Sequence, residues 1–256
     1  MSPLTVPVGD PASLESLAAV YAYPEQVAAG RPWLRANMVA ALDGSARLEG
    51  LSEGLSGEAD KRVFGVLRAL ADVVLVGAET VRAEGYRPAR ARAEFAGARR
   101  AAGQEAAPAI AIVSRGLELD LSAPLFTGPL VRTVVITTED SPAEARRAVA
   151  EVADVVVAGE RSVDLREAVA ALGRRGWTRL LTEGGPRLLG GLAGAGLLDE
   201  LCLSVAPLLT GGDGPGILRG AGIPGAQHMR LVSLIEEKGF LFTRYVRPAS
   251  AGGSTG

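Results

Sequence analysis

Cysteine and histidine are almost missing: Cys202 and His228 stand alone among 256 residues. A single thiol excludes a disulfide framework, and with a single imidazole it excludes a metal centre built from several Cys or His ligands, so no metal is expected. Cys202 sits in an apolar run and reads as core; His228, in a loop between Pro224 and Met229, reads as surface or packing. Lysine is confined to Lys61 and Lys238, aromatics make up 4% of the chain, and the formal net charge is only −2. Without a global positive field, nucleic-acid binding is excluded as a function class. The chain shows no basic leader followed by an apolar segment and no apolar run of bilayer length, so the expectation is a cytoplasmic protein with no membrane partner. A Gly-x-Gly-x-x-Gly turn with an acidic residue about twenty positions on is also missing. A dinucleotide would therefore have to be held by several separate strand ends. No internal repeat is found.

What is present is a composition of 48% hydrophobic and 22% charged residues, enough for one large core. The organisation read from it is an N-terminal extension over 1–32 packing on a domain edge, a single domain over 33–248, and a disordered tail over 249–256. Apolar spacing predicts a helix over 13–23, a strand over 33–39 leaving through a turn at 40–44, and a mobile polar loop over 47–56. Ser56 is placed to cap a helix from 58 to about 71. Residues 72–77 read as a strand buried on both faces, followed by a short helix opened by Gly77. An exposed, partly helical insertion over 92–107 is expected, then strands at 109–113, 132–137 and 155–157 alternating with helices at 142–152 and 165–175. A terminal hairpin turns at 236–239, with 240–246 as an edge strand. The alternation is that of an α/β fold.

The most informative stretch is Leu180-Leu181-Thr182-Glu183-Gly184-Gly185-Pro186-Arg187-Leu188-Leu189, a buried strand ending on a carboxylate, a glycine turn and a helix start. Glycines allow close backbone approach, Pro186 suits the first helical turn, and free amides at a helix N-terminus favour a phosphate. A tight turn with a solvated Glu183 is the competing reading. Asp43, in an Asp-Gly pair, is explained equally well by turn chemistry or by a role at a cleft. Asn37 is an amide inside an apolar strand and needs a partner. Arg68 near the end of its helix reads as a surface arginine completing the dipole. Thr137 and Thr138, at another strand end, are candidates for the adenosine side of a nucleotide.

Two ordered motifs carry a resemblance. Glu183-Gly184-Gly185-Pro186 followed by Leu198-Asp199-Glu200 and Pro207-Leu208 is one; the run from Asn37 to Gly44 followed by Ala71-Asp72-Val73-Val74-Leu75-Val76-Gly77-Ala78-Glu79-Thr80-Val81 is the other. Together they resemble the pyrimidine reductase domain of riboflavin biosynthesis over residues 33–247. The resemblance implies a dihydrofolate-reductase-like, three-layer α/β fold: a mixed, mostly parallel sheet flanked by helices, with a C-terminal β-hairpin. It implies NADPH as cofactor and reduction of the ribosyl C1 of 5-amino-6-(5-phosphoribosylamino)uracil to the ribitylamino product. It places Gly77, Thr80, Glu84, Ser114, Arg115, Gly184, Gly185, Pro186, Arg187, Leu188 and Leu189 on the cofactor, with Ser114 and Arg115 on the 2′-phosphate. Asn37, Ser52, Arg68, Glu183 and either Arg87 or Arg90 fall on the substrate, Arg68 taking its 5′-phosphate. Glu183 would orient the substrate, and Asp43 would deliver a proton or position the ring. Relatives usually carry Asp-Asp-Pro where this chain has Glu84-Gly85-Tyr86. Many carry a deaminase domain with a His-x-Glu and Pro-Cys-x-x-Cys signature that is not found here, so only the reduction step is expected. Family habit and an exposed edge strand favour a homodimer. A dihydrofolate or pteridine reductase, or an inactive NADP-binding regulator, are the alternatives.

Overall fold

The computed structural model describes residues 13–25, 27, 31–220, 222–223 and 225–248. The tail expected at 249–256 and residues 1–12 of the extension lie outside them. The described residues run α1 (Leu14–Val20), β1 (Trp33–Ala41), α2 (Glu58–Leu70), β2 (Val73–Gly77), α3 (Ala78–Ala83), α4 (Ala93–Ala101), β3 (Ala109–Val113), α5 (Pro124–Thr127), β4 (Val134–Thr137), α6 (Ala143–Val152), β5 (Asp154–Val157), α7 (Leu165–Arg174), β6 (Arg179–Thr182), α8 (Pro186–Gly194), β7 (Glu200–Ala206), β8 (Arg230–Glu237) and β9 (Phe240–Val246). They form one nine-stranded sheet in the order β5-β4-β3-β2-β6-β1-β7-β9-β8. Neighbours are parallel from β5 to β7, and β9 runs antiparallel to both β7 and β8.

The apolar runs explain the layering. In β2 the side chains alternate between faces, so Val74 and Val76 join one core and Val73 and Leu75 the other. The first core is covered by Val63, Val66 and Leu67 of α2, Phe95 of α4, Val149 of α6 and Leu17 of α1. The second is covered by Ala168, Val169 and Leu172 of α7 and by Leu188 and Leu192 of α8. The mostly parallel, helix-flanked sheet expected from the sequence is the one observed.

Three local expectations are corrected. Ser56 does not cap α2: the N-cap is Gly57, and the Ser56 hydroxyl instead donates to Asp60 Oδ2. The 92–107 segment is not simply exposed, because Phe95 and Arg99 are buried. Arg99 donates to the carbonyls of Ala69, Ala71 and Glu105 at 2.6–2.8 Å, tying α4 to the C-terminal end of α2, where carbonyls lack helical partners. The β9 segment is not an edge strand, since β8 lies outside it.

A sealed ion cluster fastens α1 and the segment after it to the amino end of β1 and β7. Arg35 Nε lies 2.8 Å from Glu200 Oε1, and both side chains are fully buried. Arg244 Nε donates to the same oxygen at 2.7 Å, Trp33 Nε1 donates to Oε2 at 2.9 Å, and the Arg35 guanidinium lies over the Tyr23 ring at 4.0 Å. Arg244 also donates to the carbonyls of Val20 and Ala22. Burial alone would raise the Glu200 carboxyl; Arg35 and Arg244 outweigh it and hold the group below its ordinary value. Cys202 packs against this cluster, and burial pushes its thiol far up, in keeping with an inert core residue.

Candidate active site

The functional side chains gather at the carboxyl ends of β1, β2, β3 and β6, where parallel α/β sheets open a crevice. β6 lies between β2 and β1 and ends at Thr182. Its pairing with β2 continues into the turn, since Glu183 N donates to Leu75 O at 3.2 Å and Gly77 N to Gly184 O at 2.9 Å. Gly184 has φ +81°, a left-handed backbone that favours glycine, and the Gly184–Gly185 peptide is cis. A Cβ placed on Gly185 would lie 2.6 Å from Thr80 Oγ1, so glycine there is what allows α3 and the turn to meet. The chain then enters α8 at Pro186 with Gly185 as N-cap, which leaves first-turn amides without helical partners.

Two clefts flank this turn. A cleft of 580 Å³ is lined by Gly77, Thr80, Ser114, Arg115, Gly185, Pro186, Arg187 and Leu188. Its walls also carry Arg47, Arg82 and Arg219, making five arginines against two glutamates, Glu79 and Glu118. The positive excess and the free end of α8 suit an elongated anion such as a phosphorylated dinucleotide. Ser114 is buried and its Oγ accepts from Leu117 N at 3.1 Å, which shapes the loop and leaves Arg115 exposed at the rim. Gly184 contributes through its carbonyl on Gly77 rather than to the lining.

The second cleft, of 380 Å³, meets the first at Thr80, which lines both. Asn37, Ser52, Arg68 and Glu183 are all on its wall. Glu183 is held on both oxygens: Arg68 Nε donates to Oε1 and Arg68 Nη2 to Oε2, each at 2.7 Å, and the Tyr86 hydroxyl donates to Oε2. Burial lowers the Arg68 affinity for its proton and Glu183 more than restores it, so the guanidinium is charged. Burial, reinforced by Glu183, raises Tyr86 well above its ordinary value, so this phenol keeps its proton. Asn37 Oδ1 is buried in the wall without a hydrogen-bond partner among the described residues.

Several expected roles are corrected. Arg68 is engaged by Glu183 in a two-point ion pair and orients that carboxylate, so its fork is not free for a phosphate. Glu84 lies in the second cleft instead of the arginine-rich one, its Oε1 accepting from Ser52 N and Oγ at 3.0 Å. Leu189 is fully buried with Ala36 and Leu198 and lines neither cleft. Thr137 and Thr138 are buried and line neither. Arg90 is exposed and sits beyond the second cleft, in an adjoining recess of 290 Å³ that also holds Arg68, Arg87 and Arg92. Arg92 packs across Gly65 of α2, where any side chain would displace its guanidinium. Asp43 is outside both clefts: its carboxylate accepts from Gly211 N and Thr210 N at 2.7 Å and pins the glycine-rich loop to the end of β1. Those bonds, first from Gly211, lower its pKa to about 2, in keeping with the turn explanation.

Sequence reasoning missed Arg47, Arg82 and Arg219 on one cleft, and Asp60, Phe64 and Tyr86 on the other. Arg47 and Arg219 come from loops with no periodic signal. Asp60, Phe64 and Arg68 are spaced by four along α2, which was legible as one helical face.

An arginine-rich cleft and a cleft holding a fixed carboxylate, sharing Thr80 at the carboxyl edge of a mostly parallel sheet, are the arrangement of an α/β oxidoreductase. The chain belongs to the RibD C-terminal domain family, which matches residues 32–237. A 2,5-diamino-6-ribosylamino-4(3H)-pyrimidinone 5′-phosphate reductase of Archaeoglobus fulgidus is 34% identical over 192 residues, covering 74% of this chain and 87% of its own. The enzyme of the same name from Methanothermobacter thermautotrophicus is 31% identical over 201 residues, covering 75% and 86%. A pyrimidine reductase-like protein of Corynebacterium diphtheriae has a similar structure, with a TM-score of 0.80 at 26% identity over 91% of this chain and 98% of that one. The family resemblance read from the two motifs therefore holds. No helix of the described residues is long and apolar enough to cross a membrane.

Proposed function

We propose that the chain is an NADPH-dependent reductase that converts a 5′-phosphorylated ribosylaminopyrimidine of riboflavin biosynthesis to its ribityl counterpart. The observation that carries this reading is Thr80 as the common wall of an arginine-rich cleft and a cleft containing a fixed carboxylate. Such a shared wall brings two bound molecules into contact, as hydride transfer demands.

The nicotinamide, when bound, would supply a hydride to ribosyl C1, whose bond to the ring oxygen opens as that oxygen takes a proton from solvent. The first-turn amides of α8 and the surrounding arginines would hold its pyrophosphate, and Arg115 with Ser114 the 2′-phosphate. Glu183, locked by Arg68 and Tyr86, orients the ribosyl chain through its hydroxyl groups. Asn37 and Ser52 face the same space from β1 and the loop after it. The 5′-phosphate goes to the recess where Arg87, Arg90 and Arg92 gather with no acidic residue among the described ones that line it, instead of to Arg68 alone. A second copy of the chain is the proposed partner, through the edge exposed by β8.

The test follows NADPH absorbance with the phosphorylated ribosylaminopyrimidine, with dihydrofolate, and with neither. Oxidation only in the first case is expected. Oxidation with dihydrofolate alone would move the substrate class, and tight NADPH binding without oxidation in any arm would leave a regulator. Arg115→Ala is expected to raise the KM for NADPH about tenfold and to spare NADH, which lacks the phosphate.

A further inference from the structure

We propose that Glu79 is an exchangeable stand-in for a cofactor phosphate: it pairs with Arg187 in the arginine-rich cleft, yields it to the pyrophosphate of an entering dinucleotide, and takes it back as NADP leaves. The inference rests on the reading above and adds to it how the cleft lets its cofactor go.

Two helix starts laid side by side bring the pair together. Helix α3 leaves β2 at Gly77 and α8 leaves the β6 turn at Gly185, and the bond from Gly77 N to Gly184 O at 2.9 Å joins the two exits. Glu79 and Arg187 are each the second residue of their helix, and both line the 580 Å³ cleft, where Arg187 Nη1 lies 3.2 Å from Glu79 Oε2. Arg47, Arg82, Arg115 and Arg219 line it too, but among the described residues only Arg187 of these five arginines is paired with a carboxylate.

The weakness of the pair suits exchange. Arg68 and Glu183 make two contacts of 2.7 Å with side chains 21% and 4% exposed, whereas Arg187 and Glu79 make one contact of 3.2 Å at 76% and 58%. The forked, shielded pair stays fixed; a single contact in water breaks and re-forms at little cost. A pyrophosphate is the stronger partner for a guanidinium, and the first-turn amides of α8 beside Arg187 receive the same group. Glu79 is then left next to a second anion, which raises the free energy of the bound state. On release Arg187 passes from phosphate to carboxylate without losing a partner, so the effect falls on dissociation more than on association. An acid in a first turn also supports its own helix through the dipole, but that role alone leaves nucleotide affinity unchanged when the charge is removed.

The test titrates NADPH fluorescence with Glu79→Gln, Arg187→Ala and the double variant, and times displacement of NADP by stopped flow; no substrate takes part. Glu79→Gln is expected to bind NADPH about fivefold more tightly, the most that an exposed ion pair supports, and to release NADP correspondingly more slowly. In the Arg187→Ala background the same substitution should gain less than about twofold, because no arginine remains to be handed over. Glu118→Gln, which removes the other acid of the cleft, should also gain less than about twofold. NADH should share the gain seen with NADPH, since both carry the pyrophosphate. Unchanged affinity in Glu79→Gln would leave the residue a helix-start acid, and an equal gain without Arg187 or in Glu118→Gln would reduce it to the general field of the cleft. A gain confined to NADPH would exclude the pyrophosphate. Each of these outcomes overturns the exchange while the reductase reading stands; failure of the unaltered chain to bind NADPH would overturn both.

Discussion

Glu200 with Arg35 and Arg244, and Glu183 with Arg68 and Tyr86, are two carboxylate–arginine clusters set on neighbouring parts of one sheet. The first lies at the amino end of β7 and is roofed by Trp33, Tyr23 and Cys202; Arg35 and Glu200 are both fully buried. The second lies just past the carboxyl end of β6, where Arg68 is 21% and Glu183 4% exposed and a cleft opens beside them. The difference is one of strand direction: carboxyl ends of parallel strands splay into helix starts and leave room for ligands, whereas amino ends can be sealed. The sealed cluster fastens the amino ends of the strands to the segment after α1, and the open one faces a cleft.

The largest expected effect breaks the sealed side. Glu200→Ala leaves Arg35 buried without a counter-charge and should cost about 3–5 kcal/mol in urea unfolding. Because Arg35 and Arg244 overcome burial and hold the Glu200 carboxyl below its unfolded value of 4.5, its contribution is complete above that pH and is lost as pH falls through the lower folded value. Acid titration of the unaltered chain should therefore show a stability loss below pH 4.5 that Glu200→Gln flattens.

On the open side the order reverses, with activity lost and stability spared. Glu183→Gln should lower kcat/KM about a hundredfold, with unfolding shifted far less than in Glu200→Ala. Tyr86→Phe removes one of three donors to that carboxylate and should cost about tenfold in kcat/KM with NADPH affinity unchanged. The smallest effect is expected at Asp43, where Asn keeps the loop bonds through its carbonyl oxygen; turnover should stay within about twofold across neutral pH. A large loss there would restore the proton-delivery role that its surroundings argue against.

The same contrast explains what the sequence made legible. Strand and helix identities from β2 to α8, the short α5 apart, followed from apolar runs and turn residues, because a sheet buried on both faces leaves few other ways to place Val73 to Val76 or Leu180 and Leu181. The glycine turn after Glu183 could be read for the same reason. Which acid faces a ligand could not: Glu183 and Glu200 both adjoin apolar strands, and only the partners brought in from α2, the Tyr86 loop and β9 distinguish them. The pairing of Arg68 with Glu183 was not legible, because the two are 115 positions apart. Asp43 was legible as a turn, but its bonds to Thr210 and Gly211 depend on a loop with no periodicity of its own.

The bond from Gly77 N to Gly184 O extends the β2–β6 ladder past the last strand residue. Glu183 and the helix-opening glycine are thus consecutive links on a rung whose position is set by both neighbouring strands. The spacing between the two clefts is accordingly gauged at this point by backbone bonds at the centre of the sheet and not by the loops at its rim.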